Sequence, residues 1–279
     1  MKTILITGAN GMLAKDAAEV FLRAGYSVIK AGKTELDVTN FAQVEDFFAD
    51  KCAQNKINFV LHAAAYTKVD DAESNQDLAF LINSTGAKNV AIASRQHQIP
   101  IIYISTDYVF DGEKGAPYLP SDKPNPINVY GASKLAGEEN VKKENPMHYI
   151  ARTSWLYGKH GKNFVSTMLE LAKTKTEIKV VNDQIGCPTS TIDLALGIKN
   201  LIENKTPFGT YHLCGGGFAS WFDFAQKIFE IAKIEIEVLP VSTSQFPRPA
   251  KRPKFSAIEN GGLIEGWEVG LRKHLFESY

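Results

Sequence analysis

Cysteine is scarce in this chain of 279 residues, with only Cys52, Cys187 and Cys214. An odd number without C-x-x-C spacing supplies neither a disulfide frame nor a zinc site, so the thiols read as free in a reducing compartment. An excess of charge of one sign is also missing. Lys+Arg and Asp+Glu number 31 each, which argues against nucleic acid or an acidic membrane surface as the partner of the whole chain. An anionic substrate would have to be met by local basic groups. No apolar run is long enough to span a bilayer, and the strand pattern in the first residues leaves no room for a signal peptide. A cytoplasmic protein is the expectation. Internal repeats and low-complexity tracts are absent as well.

What is present is 44% hydrophobic residues, enough core for one large α/β unit or one and a half domains. The chain opens on Thr3-Ile4-Leu5-Ile6-Thr7, an apolar run of the kind that forms parallel strands covered on both faces. It leads straight into Gly8-Ala9-Asn10-Gly11-Met12-Leu13-Ala14. Gly8 can adopt the backbone angles of a tight turn, and Gly11 leaves no Cβ in a ligand's way. A helix follows at once, so its free N–H groups would point at a phosphate. The spacing is G-x-x-G-x-x-A, a variant of the dinucleotide-binding turn, with small Ala14 where helix and strand approach.

The spacing predicts a helix over 12–24 closed by Gly25, then a strand over 27–29. An acid at the end of that second strand takes the ribose 2′-hydroxyl of NAD. Here the stretch is Lys30-Ala31-Gly32-Lys33, with no acid before Glu35, and Lys33 or Lys30 could instead meet a 2′-phosphate. The expectation is use of both NADPH and NADH, with NADPH favoured by less than roughly tenfold.

Asn40 caps a helix through Val44, Phe47 and Phe48. A strand over 59–62 ends in Ala63-Ala64-Ala65, small residues that let a flat cofactor lie close. A helix over 78–95 carries Asn83, either functional or facing water, and a strand over 101–104 opens into Ser105-Thr106-Asp107. This β-α alternation implies a doubly wound parallel sheet. Residues 111–128, with Pro120, Pro124 and Pro126, read as a loop ordered on binding and a place for a substrate lid. A helix from about 129 and a strand over 148–151 complete this half. Further helices are expected at 163–173, 190–203, 220–232 and from 268 towards 276. Short strands are expected at 179–181, 210–213 and 237–239.

Tyr130 and Lys134 fall on one helix face. A free phenol, with a pKa near 10, is a poor proton donor at neutral pH. A neighbouring ammonium would lower that value, so that the phenol can protonate a carbonyl oxygen while hydride reaches the carbon. Thr106 or Ser105, at the end of the fourth strand, could hold the same oxygen.

At these residues the chain resembles the extended short-chain dehydrogenase/reductases, and among them the dTDP-4-dehydrorhamnose reductase family. The matching stretches run nearly the full length. They are Thr7–Gly11, Leu36-Asp37-Val38-Thr39-Asn40, 62–70, 104–112, Tyr130-Gly131-Ala132-Ser133-Lys134, 152–158, Asp183 to Thr189, and Arg252-Pro253 with Ser256.

The resemblance implies a Rossmann α/β fold, with a dinucleotide-binding domain over 1–153. A smaller α/β substrate domain would take 154–279, with some segments returning to the sheet. It implies an oxidoreductase that uses NADPH or NADH to reduce the C4 ketone of a nucleotide-linked 4-keto-6-deoxyhexose, dTDP-4-dehydro-L-rhamnose to dTDP-L-rhamnose, for cell-surface polysaccharide. Thr106, Tyr130 and Lys134 would be catalytic. Gly8, Asn10, Gly11, Met12 and Leu13 would cradle the pyrophosphate, with Asp37 and Val38 beside the adenine. Ala63, Ala64 and Tyr66 would line the nicotinamide side. Val69, Asp107, Trp155 and the 183–189 loop with Gln184 would face the nucleotide-sugar, and Trp155 would stack on the sugar or sit in the core. Arg252 would reach the phosphates or brace the C-terminal loop. No metal is assigned, because the acids that hold magnesium in some relatives have no match here. Ala14 stands where relatives commonly carry glycine. A homodimer, a sibling sugar, an epimerase or dehydratase, and a non-catalytic regulatory subunit all stay open. Asp107 followed by Tyr108 counts against a dehydratase, and the intact Tyr130/Lys134 pair counts against a regulator.

Overall fold

The computed structural model describes residues 1–54 and 56–277. Its elements are β1 (Thr3–Thr7), α1 (Met12–Arg23), β2 (Ser27–Ala31), α2 (Phe41–Gln54), β3 (Ile57–His62), α3 (Val69–Ala72), α4 (Gln76–Phe80), α5 (Ala87–Gln96), β4 (Ile101–Thr106), α6 (Val129–Glu144) and β5 (His148–Thr153). They continue with β6 (Leu156–Tyr157), α7 (Phe164–Ala172), β7 (Glu177–Val181), β8 (Ile185–Gly186), β9 (Thr189–Ser190), α8 (Thr191–Glu203), β10 (Gly209–His212), β11 (Ala219–Ser220), α9 (Trp221–Ala232), β12 (Glu237–Val241) and α10 (Trp267–Glu277).

Six of the strands form one parallel sheet in the order β2-β1-β3-β4-β5-β10. Every residue of β1 is buried, which explains its unbroken apolar run. One face is covered by α1 and α8, whose Ala17, Phe21, Leu194 and Ile198 share a core with Ile4 and Ile6. The other is covered by α2 and α5, through Val44, Phe48, Val90 and Ala91 against Leu5 and Val60. The strand order reverses between β1 and β3. In an open parallel sheet a ligand binds in the crevice beyond the carboxyl ends at such a switch point.

The remaining elements build a smaller unit around Phe224, Ile228, Val165 and Leu271, with β7 and β12 as a parallel pair. Helices α8 and α9 begin at the serine caps Ser190 and Ser220, whose hydroxyls accept from the N–H of Asp193 and Asp223.

Two expectations change. The helix over 78–95 is interrupted by a π-helical stretch at Leu81–Gly86. This bulge re-aims Asn83 into the interior, where it is fully buried. Asn83 therefore does not face water. Its amide accepts from Tyr66 N–H (2.7 Å) and donates to Tyr66 C=O (3.0 Å) and Ser133 Oγ (2.9 Å), clamping the segment after β3. The proline-bearing segment 111–128 is a fastened strap and not a lid. The Tyr118 ring stacks on Phe110 at 4.2 Å. Its hydroxyl accepts from Gly112 N–H (2.9 Å) and donates to Asp111 (2.6 Å), and its N–H donates to Ala257 C=O (2.9 Å). Loop composition carries no sign of such an anchor.

Candidate active site

The glycine turn sits at the switch point. Gly8 has φ +65°, and a Cβ there would lie 2.6 Å from the Cα of Ala64. Only glycine allows the turn to lie against the end of β3. Gly11 is the N-cap of α1 without a side-chain cap, so the first-turn N–H groups of the helix face the crevice free for an anion. Met12 and Leu13 begin the helix, and Asn10 is exposed at the turn. Gly8→Ala is expected to cost about 1–3 kcal/mol of stability through strain and crowding and to weaken dinucleotide binding. Denaturant unfolding and calorimetric titration check this.

Around the crevice, Ala63, Ala64 and Tyr66 are half-buried beyond β3. Val38 is buried against Gly86. The Asp37 carboxylate accepts from Thr39 N–H (3.0 Å) and Oγ1 (2.7 Å), bonds that hold it below the usual carboxylate range. Lys33 is exposed.

Helix α6 starts at Asn128, whose Oδ1 accepts from Gly131 N–H (2.7 Å). A Cβ on Gly131 would lie 2.1 Å from the carbonyl oxygen of Tyr108, so α6 packs backbone to backbone on the turn after β4. That contact brings Tyr130 to Thr106. Thr106 Oγ1 accepts from Tyr108 N–H (3.1 Å) and stands 3.0 Å from Asp107 Oδ1. Burial pushes the Tyr130 phenol up to about 12, while a hydrogen bond from Thr106 works against the rise and Asp107 adds to it. Lys134 is 3% exposed, with Nζ 4.0 Å from the ring centre of Tyr103. Burial drives its ammonium down to about 7, opposed by Glu138. The expected depression of the phenol by Lys134 is therefore missing here. Among the groups that act on the phenol, the hydroxyl of Thr106 is the one that works in that direction.

Asp107 does not face the cleft. It is 2% exposed, and its carboxylate accepts from Ser154 Oγ (3.0 Å) and Ser256 Oγ (2.5 Å) beside Thr106. Burial lifts its pKa to about 6 against those hydrogen bonds. Trp155 is likewise set back. It has φ +46°, packs on Gly186, where a Cβ would lie 2.4 Å from its indole, and stacks on Trp221 at 3.5 Å and 6°. Trp221 fronts the cleft in its place.

That cleft encloses about 390 Å³ between the two units. Trp221, Phe164, Tyr108 and Phe246 give it aromatic walls, and Lys179, Arg248 and Arg252 give it positive charge. Gln184 lines it and accepts from Trp221 Nε1 (3.3 Å). Arg252 braces: its guanidinium grips both oxygens of Asp70, with Nη2 2.9 Å from Oδ2, and holds that carboxyl below its usual range. Val69, half-buried, precedes Asp70 at the start of α3. Sequence reasoning missed Tyr108, Phe164, Lys179, Trp221 and Arg248. Tyr108 had a signal, standing two residues beyond Thr106 in a quoted motif; the others lie on elements that meet only in the fold. Among the described residues no group of three or more His, Cys, Asp or Glu is placed to hold a metal ion. Nor is any helix among them long and apolar enough to cross a membrane.

Residues 1–273 match the family described as RmlD substrate binding domain. The chain is 38% identical to the spore coat polysaccharide biosynthesis protein SpsK of Bacillus subtilis, over 99% of this chain and 98% of that one. It is 37% identical to the dTDP-4-dehydrorhamnose reductase of Sinorhizobium fredii, over 97% and 95%. The structure is similar to the dTDP-4-dehydrorhamnose reductase of Bacillus anthracis solved in complex with NADP, with a TM-score of 0.94 and 45% identity over 99% and 100% of the two chains.

Proposed function

The chain belongs to the RmlD substrate binding domain family, and on that premise we propose that it reduces the C4 ketone of dTDP-4-dehydro-L-rhamnose to dTDP-L-rhamnose with NADPH or NADH. The observation that carries the chemistry is Tyr130 and Lys134 buried one turn apart on α6, with Tyr130 edge-on to Tyr108, which lines the basic and aromatic cleft.

Residues 1–153 hold the dinucleotide. Gly8, Asn10, Gly11, Met12 and Leu13 cradle its pyrophosphate, Asp37 and Val38 flank the adenine, and Ala63, Ala64 and Tyr66 support the nicotinamide. The cofactor supplies hydride to C4. Thr106 orients the ketone oxygen, and Tyr130 delivers the proton. A phenol near 12 is fully protonated at neutral pH and remains far more acidic than the alcohol that the alkoxide becomes. Lys134, with a pKa near 7, is the stronger acid of the two and can restore the proton to the phenolate. Residues 154–279 hold most of the nucleotide-sugar. Trp221 and Phe164 offer flat apolar faces for the base. Lys179 and Arg248 meet the diphosphate, and Gln184 and Val69 complete the wall. Arg252 fixes Asp70 in the cleft wall, and Asp107 acts from behind by fixing Thr106. We place the protein in the cytoplasm, in keeping with its buried free thiols Cys187 and Cys214.

The test is loss of the reduced-nicotinamide absorbance with dTDP-4-dehydro-L-rhamnose. One cofactor consumed per sugar reduced supports the reading. A changed sugar without net consumption would make it an epimerase, and no turnover with intact cofactor binding would make it a regulator.

Lys134 gives a pH dependence of known sign. Its folded value is depressed, so the ammonium is present below about pH 7 and lost above it. The rate constant kcat/KM reports groups of the free enzyme and is expected to fall as pH rises through about 7. Lys134→Met should lower turnover and cofactor affinity and shift the basic limb upward, to the phenol's own range. A variant profile that keeps its limb at 7 assigns the titration to another group.

A further inference from the structure

Strand β2 ends at Ala31, whose C=O accepts from Ala9 N–H at 3.1 Å. This bond ties the end of the strand to the glycine turn. The chain then curls through 32–36, where Leu36 N–H donates to Gly32 C=O (2.9 Å). The curl returns Glu35 to the strand end, and its Oε2 accepts from Gly32 N–H at 2.9 Å. A Cβ on Gly32 would lie 2.8 Å from that oxygen and 2.8 Å from the amide nitrogen of Asn10. A fixed carboxylate, the glycine turn and the carboxyl end of β2 therefore meet at one point. Hydrogen bonds from Thr34 and the backbone keep this carboxyl below its usual range, so it is charged at neutral pH. The other nearby acid is engaged elsewhere, since Asp37 is bonded to Thr39.

We propose that Glu35 is the residue by which this chain discriminates between NADH and NADPH: its carboxylate accepts the adenosine ribose 2′-hydroxyl and opposes a 2′-phosphate. The proposal rests on the reading of the glycine turn as a dinucleotide site. The end of β2 is where a dinucleotide's adenosine ribose lies in such a fold, and an acid there bonds the 2′-hydroxyl. A phosphate in the same place brings two like charges together, which is how a site rejects a wrong partner. The local sequence Lys30-Ala31-Gly32-Lys33 shows only positive charge at the strand end. The negative group arrives from the curl and acts against those lysines.

The test is calorimetric titration of the full chain, without substrate, using ADP-ribose and 2′-phospho-ADP-ribose as probes. Parent, Glu35→Gln and Lys33→Ala are compared at low and at high salt. Gln keeps an acceptor for Gly32 N–H and removes the charge. The expected result is that Glu35→Gln raises affinity for the 2′-phosphorylated probe relative to ADP-ribose by several-fold to roughly tenfold. The shift should shrink at high salt, as a screened charge effect does. An unchanged ratio in Glu35→Gln, or a ratio that follows only Lys33→Ala, overturns the proposal while leaving the dinucleotide site standing. Failure of the parent to bind either probe overturns both.

Discussion

Tyr130→Phe is expected to lower kcat by about 10²–10⁴, the range for one acid–base group, which is about 3–5 kcal/mol of barrier. Dinucleotide affinity should change little. The substitution removes one oxygen and keeps the ring, which meets Tyr108 edge-on at 6.1 Å and stays packed where α6 crosses the turn after β4. What is lost is the proton donor. Once hydride has reached C4, the new alkoxide must take a proton, and the neighbouring Tyr108 meets Thr106 through its backbone N–H. Water could replace it only by entering a site that Tyr130 itself fills. Because Lys134 is not among the groups that set the phenol's pKa, the variant should also leave the titration of Lys134 near 7 visible in cofactor binding. Steady-state rates and calorimetric titration of the variant decide the matter. Reduction at the parent rate would remove Tyr130 from the mechanism, and equal losses in rate and cofactor affinity would point to a structural role.

The parts of this site that were legible in the sequence are those that local periodicity determines. β1, the glycine turn and α1 lie within one short stretch, so strand pattern, turn chemistry and helix pattern each predict the next. Tyr130 and Lys134 share a helix face for the same reason. The parts that were not legible depend on elements far apart in the chain. Trp155 looks like the aromatic of the sugar site, yet the structure stacks it behind Trp221, and no local signal separates the one from the other. Asp107 stands at a strand end, where side chains often meet ligands, but Ser154 and Ser256 close over it. The charge state of Lys134 depends on Tyr103 and Glu138, on β4 and one turn further along α6. Counting along the sequence puts Glu35 beyond the end of β2, and only the curl after Gly32 brings its carboxylate back to Gly32 N–H.

Arg152→Met is expected to be the most destabilising change outside the cleft. Arg152 on β5 and Glu138 on α6 form a bidentate pair, Nε to Oε1 at 2.8 Å and Nη2 to Oε2 at 2.7 Å. Their side chains are 2% and 0% exposed. Ser105 Oγ donates to the same carboxylate at 2.6 Å, and the guanidinium lies 5.1 Å from the Phe110 ring. Such a pair contributes little net stability compared with well-packed apolar residues, because desolvation offsets the attraction. Removing Arg152, however, leaves the buried carboxylate with only Ser105 and the more exposed Lys142, 3.5 Å from Oε2, and loss of one partner of a buried pair costs about 3–5 kcal/mol. The pH dependence has a definite sign. Burial alone would push Glu138 up, but Arg152 and Ser105 bring it below its usual range. In the parent this carboxylate therefore adds stability above the ordinary glutamate range and loses it as pH falls. In Arg152→Met the burial effect wins and the folded value rises above the unfolded one. The carboxylate then destabilises at neutral pH, and protonation relieves the strain as pH falls. The gap between parent and variant should be widest at pH 7 and above and narrow on acidification. Adding Glu138→Leu should recover most of the loss, since the pair is then replaced and not merely broken. Urea unfolding of parent, single and double variants at pH 7 and pH 5 measures all of this. A single variant within about 1 kcal/mol of the parent at pH 7, the range of an exposed pair, would show that the pair is solvated in solution and that α6 is held on the sheet by its apolar contacts alone.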